Sequence, residues 1–154
     1  MAEQRDTPYS AFNYLVNLPD GSEGTVIGGF SEVSGLNIEI TVAEYRNGNA
    51  KTNYVTKIPG IHKSGDITLK RGVIGASNIY DWIEAVRRGD VANAKQNVVI
   101  KLIDENPASQ KAVVTWKLTG AMPIKWTGPT LTAKGGNDVA MEELVLSVEL
   151  LEQA

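Results

Sequence analysis

The sequence predicts a mainly β (β+α) fold: a two-sheet β-barrel or sandwich with one flanking α-helix over about 77–88 and an extended hairpin over about 42–58. Three observations predict it. Short runs alternate apolar and polar residues with the period of two that a strand with two different faces requires. Gly, Pro and Asn clusters punctuate those runs. In one segment only, the apolar period lengthens to that of a helix.

Residues 1–8 are polar and are expected to form a flexible or extended N-terminal arm. Over 11–18 (AFNYLVNL), Phe12, Tyr14, Val16 and Leu18 fall on one face and Asn13 and Asn17 on the other, until Pro19-Asp20-Gly21 ends the run. A weaker strand over 25–33 is interrupted at Gly28-Gly29, where a bulge or close backbone approach is expected, and Ser34-Gly35 makes a corner. Over 36–45, Leu36, Ile38, Ile40 and Val42 are assigned to the core and Asn37, Glu39, Thr41 and Ala43 to water. The polar stretch 46–53, with Asn47-Gly48 as its turn, is the hairpin tip, and 54–58 returns as a strand that Pro59-Gly60 should stop.

Residues 65–71 (GDITLKR) alternate again. The spacing of Ile79, Trp82, Ile83 and Val86 then predicts a helix over 77–89, with Ser77 or Asn78 as N-cap, arginines in its last turn and Gly89 after it. Strands follow over 97–104, 112–119 and 139–151, with a short one near 121–126. VVIKLI (98–103) and LVLSVELL (144–151) are apolar at odd and even positions alike, so both of their faces need cover. Part of that cover is expected from another copy of the chain.

A length of 154 residues fits one domain, 1–154, with its own core. Net charge is −3, from 15 basic and 18 acidic residues, so no overall positive field attracts nucleic acid or an anionic membrane. Cysteine is absent, which excludes disulfides, thiolate metal sites and thiol nucleophiles, and agrees with a reducing compartment. No stretch approaches the roughly 18 apolar residues of a membrane-spanning helix.

No catalytic constellation emerges. The sole histidine, His62, has no carboxylate within two positions and reads as a surface or interface residue. Glu142-Glu143 and Asp104-Glu105 are neighbours that point to opposite faces of a strand, so they read as solvated edge charges. Gly28-Gly29 and Lys134-Gly135-Gly136 match no phosphate-binding loop. The Lys-Arg pairs at 70–71 and 87–88 lack the interleaved aromatics of a single-strand stacking platform. Trp82 and Trp116 read as core, and Trp126 has no assigned place. A small-ligand-binding β-barrel, with the Trp and Tyr residues as its pocket, is the alternative from another class. No enzyme, cofactor or metal is expected.

Together, FNYLVNL, GGFSEVSGL, VAEYRNG, KIPGIHKSGDITLKRGV, YDWIEAVRRGD, VVIKLIDEN and WKLTGAMPIKWTGP span about 9–152. They resemble the tail tube protein family of contractile phage tails and phage-like contractile injection systems, which is related in fold to the type VI secretion tube protein. The resemblance implies a non-enzymatic subunit of an inner tube, whose hexameric rings stack into a hollow conduit for DNA or protein effectors inside a contractile sheath. It implies that Asn37, Glu39, Thr41, Asp66, Thr68 and Lys70 face the lumen, although alternation alone leaves open which water they meet. It also implies that Tyr45, Arg46, Asn47, Gly48, Asn49, Lys51, Asn53 and Tyr54 reach a neighbouring subunit or ring. The implied partners are copies of the chain itself, the sheath protein, baseplate or spike and tube-terminating proteins, and cargo. The implied setting is assembly in the bacterial cytoplasm as part of a phage tail or phage-tail-like particle. A tube-initiating or baseplate-hub protein of the same family is the alternative reading.

Overall fold

The computed structural model describes residues 6–18, 29–75, 78–109 and 111–154. The turn expected at Pro19-Asp20-Gly21, residues 25–28 of the strand expected over 25–33, Ser77 as a helix cap and most of the N-terminal arm lie outside them. In chain order come β1 (Tyr14–Asn17), β2 (Glu32–Ser34), β3 (Ile38–Tyr45), β4 (Thr56–Ser64), β5 (Ile67–Gly72), α1 (Asn78–Arg87), α2 (Val91–Ala94), β6 (Gln96–Ile103), β7 (Ala112–Thr127), β8 (Met141–Ser147) and β9 (Leu150–Gln153).

The strands pair antiparallel. One sheet runs β1-β6-β7-β9 and the other β7-β8-β5-β2, so the long β7 belongs to both. The sheets are arranged as a sandwich, and of the two expected architectures the closed barrel is not formed. The crossing between sheets has a local cause. The stretches expected as separate strands over 112–119 and 121–126 are one strand bent at Gly120, whose φ of 67° is in the left-handed region. At the same level the strand expected over 139–151 breaks into β8 and β9, and Glu149 donates its backbone N–H to Thr119 O at 3.1 Å. Both partners therefore turn together, and a Cβ on Gly120 would lie 2.5 Å from Glu149 Oε2.

Alternation decides what goes inside. Val98 and Ile100 of β6, Leu118 of β7, Ile67 and Leu69 of β5, and Leu144 and Leu146 of β8 are each at most 2% exposed. Burying an aliphatic side chain of this size contributes about 1.5–3 kcal/mol relative to leaving it in water. Val16, Leu18 and Leu151 extend the core at its margins. Phe12, assigned by alternation to the same face, is instead 69% exposed, because β1 begins only at Tyr14.

Helix α1 covers the core with Ile79 and Trp82. It ends as the sequence requires: Gly89 adopts φ 78°, Gly89 N–H donates to Val86 O, and Asp90 N–H donates to Ala85 O. A second, four-residue helix not foreseen in the sequence follows at once, capped by the Asp90 carboxylate, which accepts from Asn93 N–H at 3.4 Å. The Trp82 indole N–H donates to Ala94 O at 2.7 Å and ties the two helices together.

The doubly apolar strands are largely self-sufficient. Val99, Val145 and Leu150, on the second faces of β6, β8 and β9, are half-buried within the chain, so the expected need for a neighbour does not arise chiefly there.

The Tyr14 hydroxyl donates to Phe30 O at 2.7 Å and links β1 to the approach of β2. Burial, with the Glu32 carboxylate nearby, pushes the Tyr14 phenol above its ordinary value of 10.0. The protonated form is the one the fold favours. Its contribution is therefore complete below pH 10 and is lost as pH rises through the higher folded value. Tyr14→Phe should lack this part of the alkaline loss, as denaturant titrations of both proteins at about pH 8 and above about pH 10 will show.

Candidate assembly interface

Where β2 ends, Gly35 turns with φ 90° and lies so close to the start of β5 that a Cβ would be 2.2 Å from Asp66 O. The chain leaves the sandwich at this corner. Among the described strands, β3 and β4 pair only with each other, as a separate two-stranded sheet. This hairpin, Ile38 to Ser64, is longer than the expected 42–58. Pro59-Gly60 does not end it: the register shifts there, with β4 carrying one more residue than β3 between the pairs Ile40–His62 and Val42–Pro59. Proline is tolerated because both strands of an isolated hairpin are edge strands.

The core assignment of 36–45 fails for most of its length. Ile38, Ile40 and Val42 are 56%, 55% and 51% exposed. They do share a face, but the sheet they belong to has no core behind it. Alternation and register place these three on one face with His62 and Pro59, while Glu39, Thr41, Ala43 and Tyr45 share the other face with Lys63 and Ile58. Each β3 carboxylate stands opposite a lysine, Glu39 with Lys63 and Glu44 with Lys57, so the hairpin is locally charge-balanced. An isolated two-stranded hairpin is marginal in water, and a contiguous exposed apolar face marks an interaction surface.

The tip, 46–55, is folded on itself. Ala50 N–H donates to Asn47 O at 3.1 Å, the turn expected at Asn47-Gly48. The Arg46 guanidinium donates through Nε and Nη2 to Thr52 O at 3.2 and 3.0 Å, and through Nη2 to Ala50 O at 3.3 Å. The Tyr45 hydroxyl donates to Asn47 Oδ1 at 2.5 Å. The predicted contact residues Tyr45, Arg46, Asn47, Gly48, Asn49, Lys51, Asn53 and Tyr54 are all exposed and contiguous here.

The predicted lumen set divides between two sheets. Asn37 precedes β3, and Glu39 and Thr41 stand on the hairpin. Thr68 and Lys70 stand on the face of β5 opposite the buried Ile67 and Leu69, where Lys70 approaches Glu32 at 3.6 Å. Asp66 is exposed at the junction.

One polar cluster departs from the expectation. Glu142 is 9% exposed and Arg71 1%, and Arg71 Nε meets Glu142 Oε1 at 2.6 Å across the β5–β8 register. Trp126 donates its indole N–H to Glu142 Oε2 at 3.3 Å, and its ring meets Tyr80 edge-on at 5.7 Å. The Phe30 ring lies 5.9 Å from the Arg71 guanidinium carbon. Glu142 is thus not a solvated edge charge, and Trp126 acquires a structural place. With Trp82 in the core and Trp116 packed against it, all three tryptophans expected of a ligand pocket are committed elsewhere. A groove beside β2, β5 and β8 is lined by Glu32, Lys70, Asp138 and Glu143 and by no tryptophan.

The family model of the T4-like virus tail tube protein gp19 matches residues 10–152. The chain belongs to this tail tube protein family. Among solved structures, it is similar to a chain in the sheath-tube complex of the extracellular contractile injection system PVC, in its extended state, at 30% identity and a TM-score of 0.81, covering 97% of this chain and 93% of that one. It is also similar to a chain in the tube-terminating cap of the anti-feeding prophage, at 28% identity and a TM-score of 0.78, covering 100% and 94%. Hcp1 from Flavobacterium johnsoniae shares the fold alone, at 14% identity and a TM-score of 0.51 over 92% and 94%. No curated protein matches in sequence. In this tail tube protein, no described helix is long and apolar enough to cross a membrane.

Proposed function

We propose that this tail tube protein forms hexameric rings that stack into the hollow inner tube of a contractile injection system, carrying DNA or protein effectors within a sheath. The observation that carries this reading is the hairpin: an apolar face more than half exposed, on a sheet that leaves the sandwich. A second copy is its natural cover, because the exposed edges of β3 and β4 then gain partners as well. Tyr45, Tyr54 and the tip between them reach a neighbouring subunit or ring. Asn37, Glu39, Thr41, Asp66, Thr68 and Lys70 line the lumen, where their mixed charges let polyanionic or protein cargo pass without adhering. Assembly takes place in the bacterial cytoplasm and brings in the sheath protein, baseplate or spike and a tube terminator as partners.

End-on electron micrographs of the concentrated protein should show closed six-fold rings with an open centre. Particles that remain single subunits at every concentration and in mixtures with baseplate proteins would count against the reading. The similarity to chains in cap and baseplate assemblies favours a second reading, a tube initiator or terminator. Copy number in purified particles separates them, since an end piece contributes one ring and a main tube many.

A further inference from the structure

We infer that Arg46 is a positioning residue for assembly: it holds the hairpin tip in its docking shape from within the same chain, and does not act by touching the neighbouring copy. The inference rests on the tube reading above. Beyond the last pair of the β3–β4 ladder, Tyr45–Thr56, the residues 46–55 run without strand pairing. Loop carbonyls there have no ladder to accept from. Arg46 supplies the donors: Thr52 O receives two N–H groups, at 3.2 and 3.0 Å, and Ala50 O one, at 3.3 Å.

The geometry suits arginine and no other cation. A planar guanidinium presents several N–H groups in a fixed fork, so it reaches two carbonyls of one loop at once, whereas a lysine ammonium is a single point on a flexible stem. Together with the Asn47–Ala50 turn, the clamp folds the returning limb of the tip back toward β3. This bears on docking because a loop ordered before contact loses little conformational freedom on contact, whereas a loose one loses its freedom at the moment of binding and weakens it. The guanidinium is turned toward its own loop, so the charge of Arg46 is a poor candidate for the contact itself.

The test compares Arg46→Ala and Arg46→Lys with the native chain in two measurements. The first is backbone 15N relaxation of the dilute, unassembled protein, which reads tip order where no neighbour is present. The second is the concentration at which rings appear by sedimentation. Both variants should lower the order parameters of residues 50–53 while leaving the β3–β4 ladder unchanged, and both should raise the assembly concentration by about tenfold, the effect of losing one or two hydrogen bonds. A direct charge contact predicts otherwise: an unchanged tip in the dilute protein, with lysine assembling nearly as well as arginine. That result overturns the inference, as does a mobile tip with undiminished assembly. If the native chain itself forms no rings, the tube reading fails and this inference with it, and the native control identifies that case.

Discussion

Replacing Ile40 and Val42 together by lysine is expected to abolish ring formation while leaving the subunit folded. The two side chains are 55% and 51% exposed on one face of a sheet that sits outside the core, so the sandwich loses nothing when they change. On the tube reading, a neighbouring copy covers this face in the assembled state. About half of each side chain is still in water in the single subunit, so covering it contributes about 0.8–1.5 kcal/mol apiece, and together they account for roughly tenfold to a hundredfold in association. Lysines add the cost of desolvating two charges when this face is covered. Sedimentation should find monomers only, and circular dichroism a native spectrum and melting point. Rings at the native concentration from the double variant would mean that this face stays in water.

The second large effect lies inside the sandwich. Glu142→Ala is expected to lower folding stability by about 3–5 kcal/mol, because it removes the carboxylate that meets the buried Arg71 guanidinium and accepts from the Trp126 indole. Against a total of about 5–15 kcal/mol for a domain, that loss is large enough to be seen as a shift of several degrees in melting. Replacing both partners by apolar residues, Arg71→Met with Glu142→Leu, should restore most of the loss, since the penalty comes from a buried charge deprived of its carboxylate and not from the absence of a bond. Urea unfolding of the single and double variants beside the native chain measures both numbers. A single variant as stable as the native chain would show that the pair is wet and weak.

Much of the fold is legible in the sequence, and the failures have one physical source. Periodicity reports which residues share a face, and it does so correctly for β3, β5, β6 and β8. What lies behind a face depends on which strands pair, and pairing is a long-range property. Ile38, Ile40 and Val42 therefore read as core although their sheet has none, while β6 and β8 read as needing a neighbour although Val99 and Val145 are half-covered within the chain. The Arg71–Glu142 pair has a signal in the sequence itself. Arg71 continues the 67, 69 parity and Glu142 the 144, 146 parity, which puts two opposite charges on two buried faces. Adjacent Lys70 and Glu143 mask that signal, because they make each residue look like half of an exposed pair. Pro59-Gly60 is a sound local reason to end a strand, yet an isolated hairpin does not obey it, and β4 runs on to Ser64. The tip is legible as an exposed hairpin turn, but Arg46 as its internal clamp is not, because a hydrogen bond from a side chain to a carbonyl six residues on leaves no mark in periodicity.

Hydrogen exchange of the β3 and β4 amides, compared between dilute subunits and the concentrated, assembled protein, tests directly whether the hairpin is completed by a neighbouring copy. The expected result is fast exchange in the dilute protein, as befits a two-stranded sheet with both edges open, and strong protection on assembly that is confined to the hairpin and the surface it meets. Rates in 38–45 and 56–64 that stay the same while rings form would contradict it.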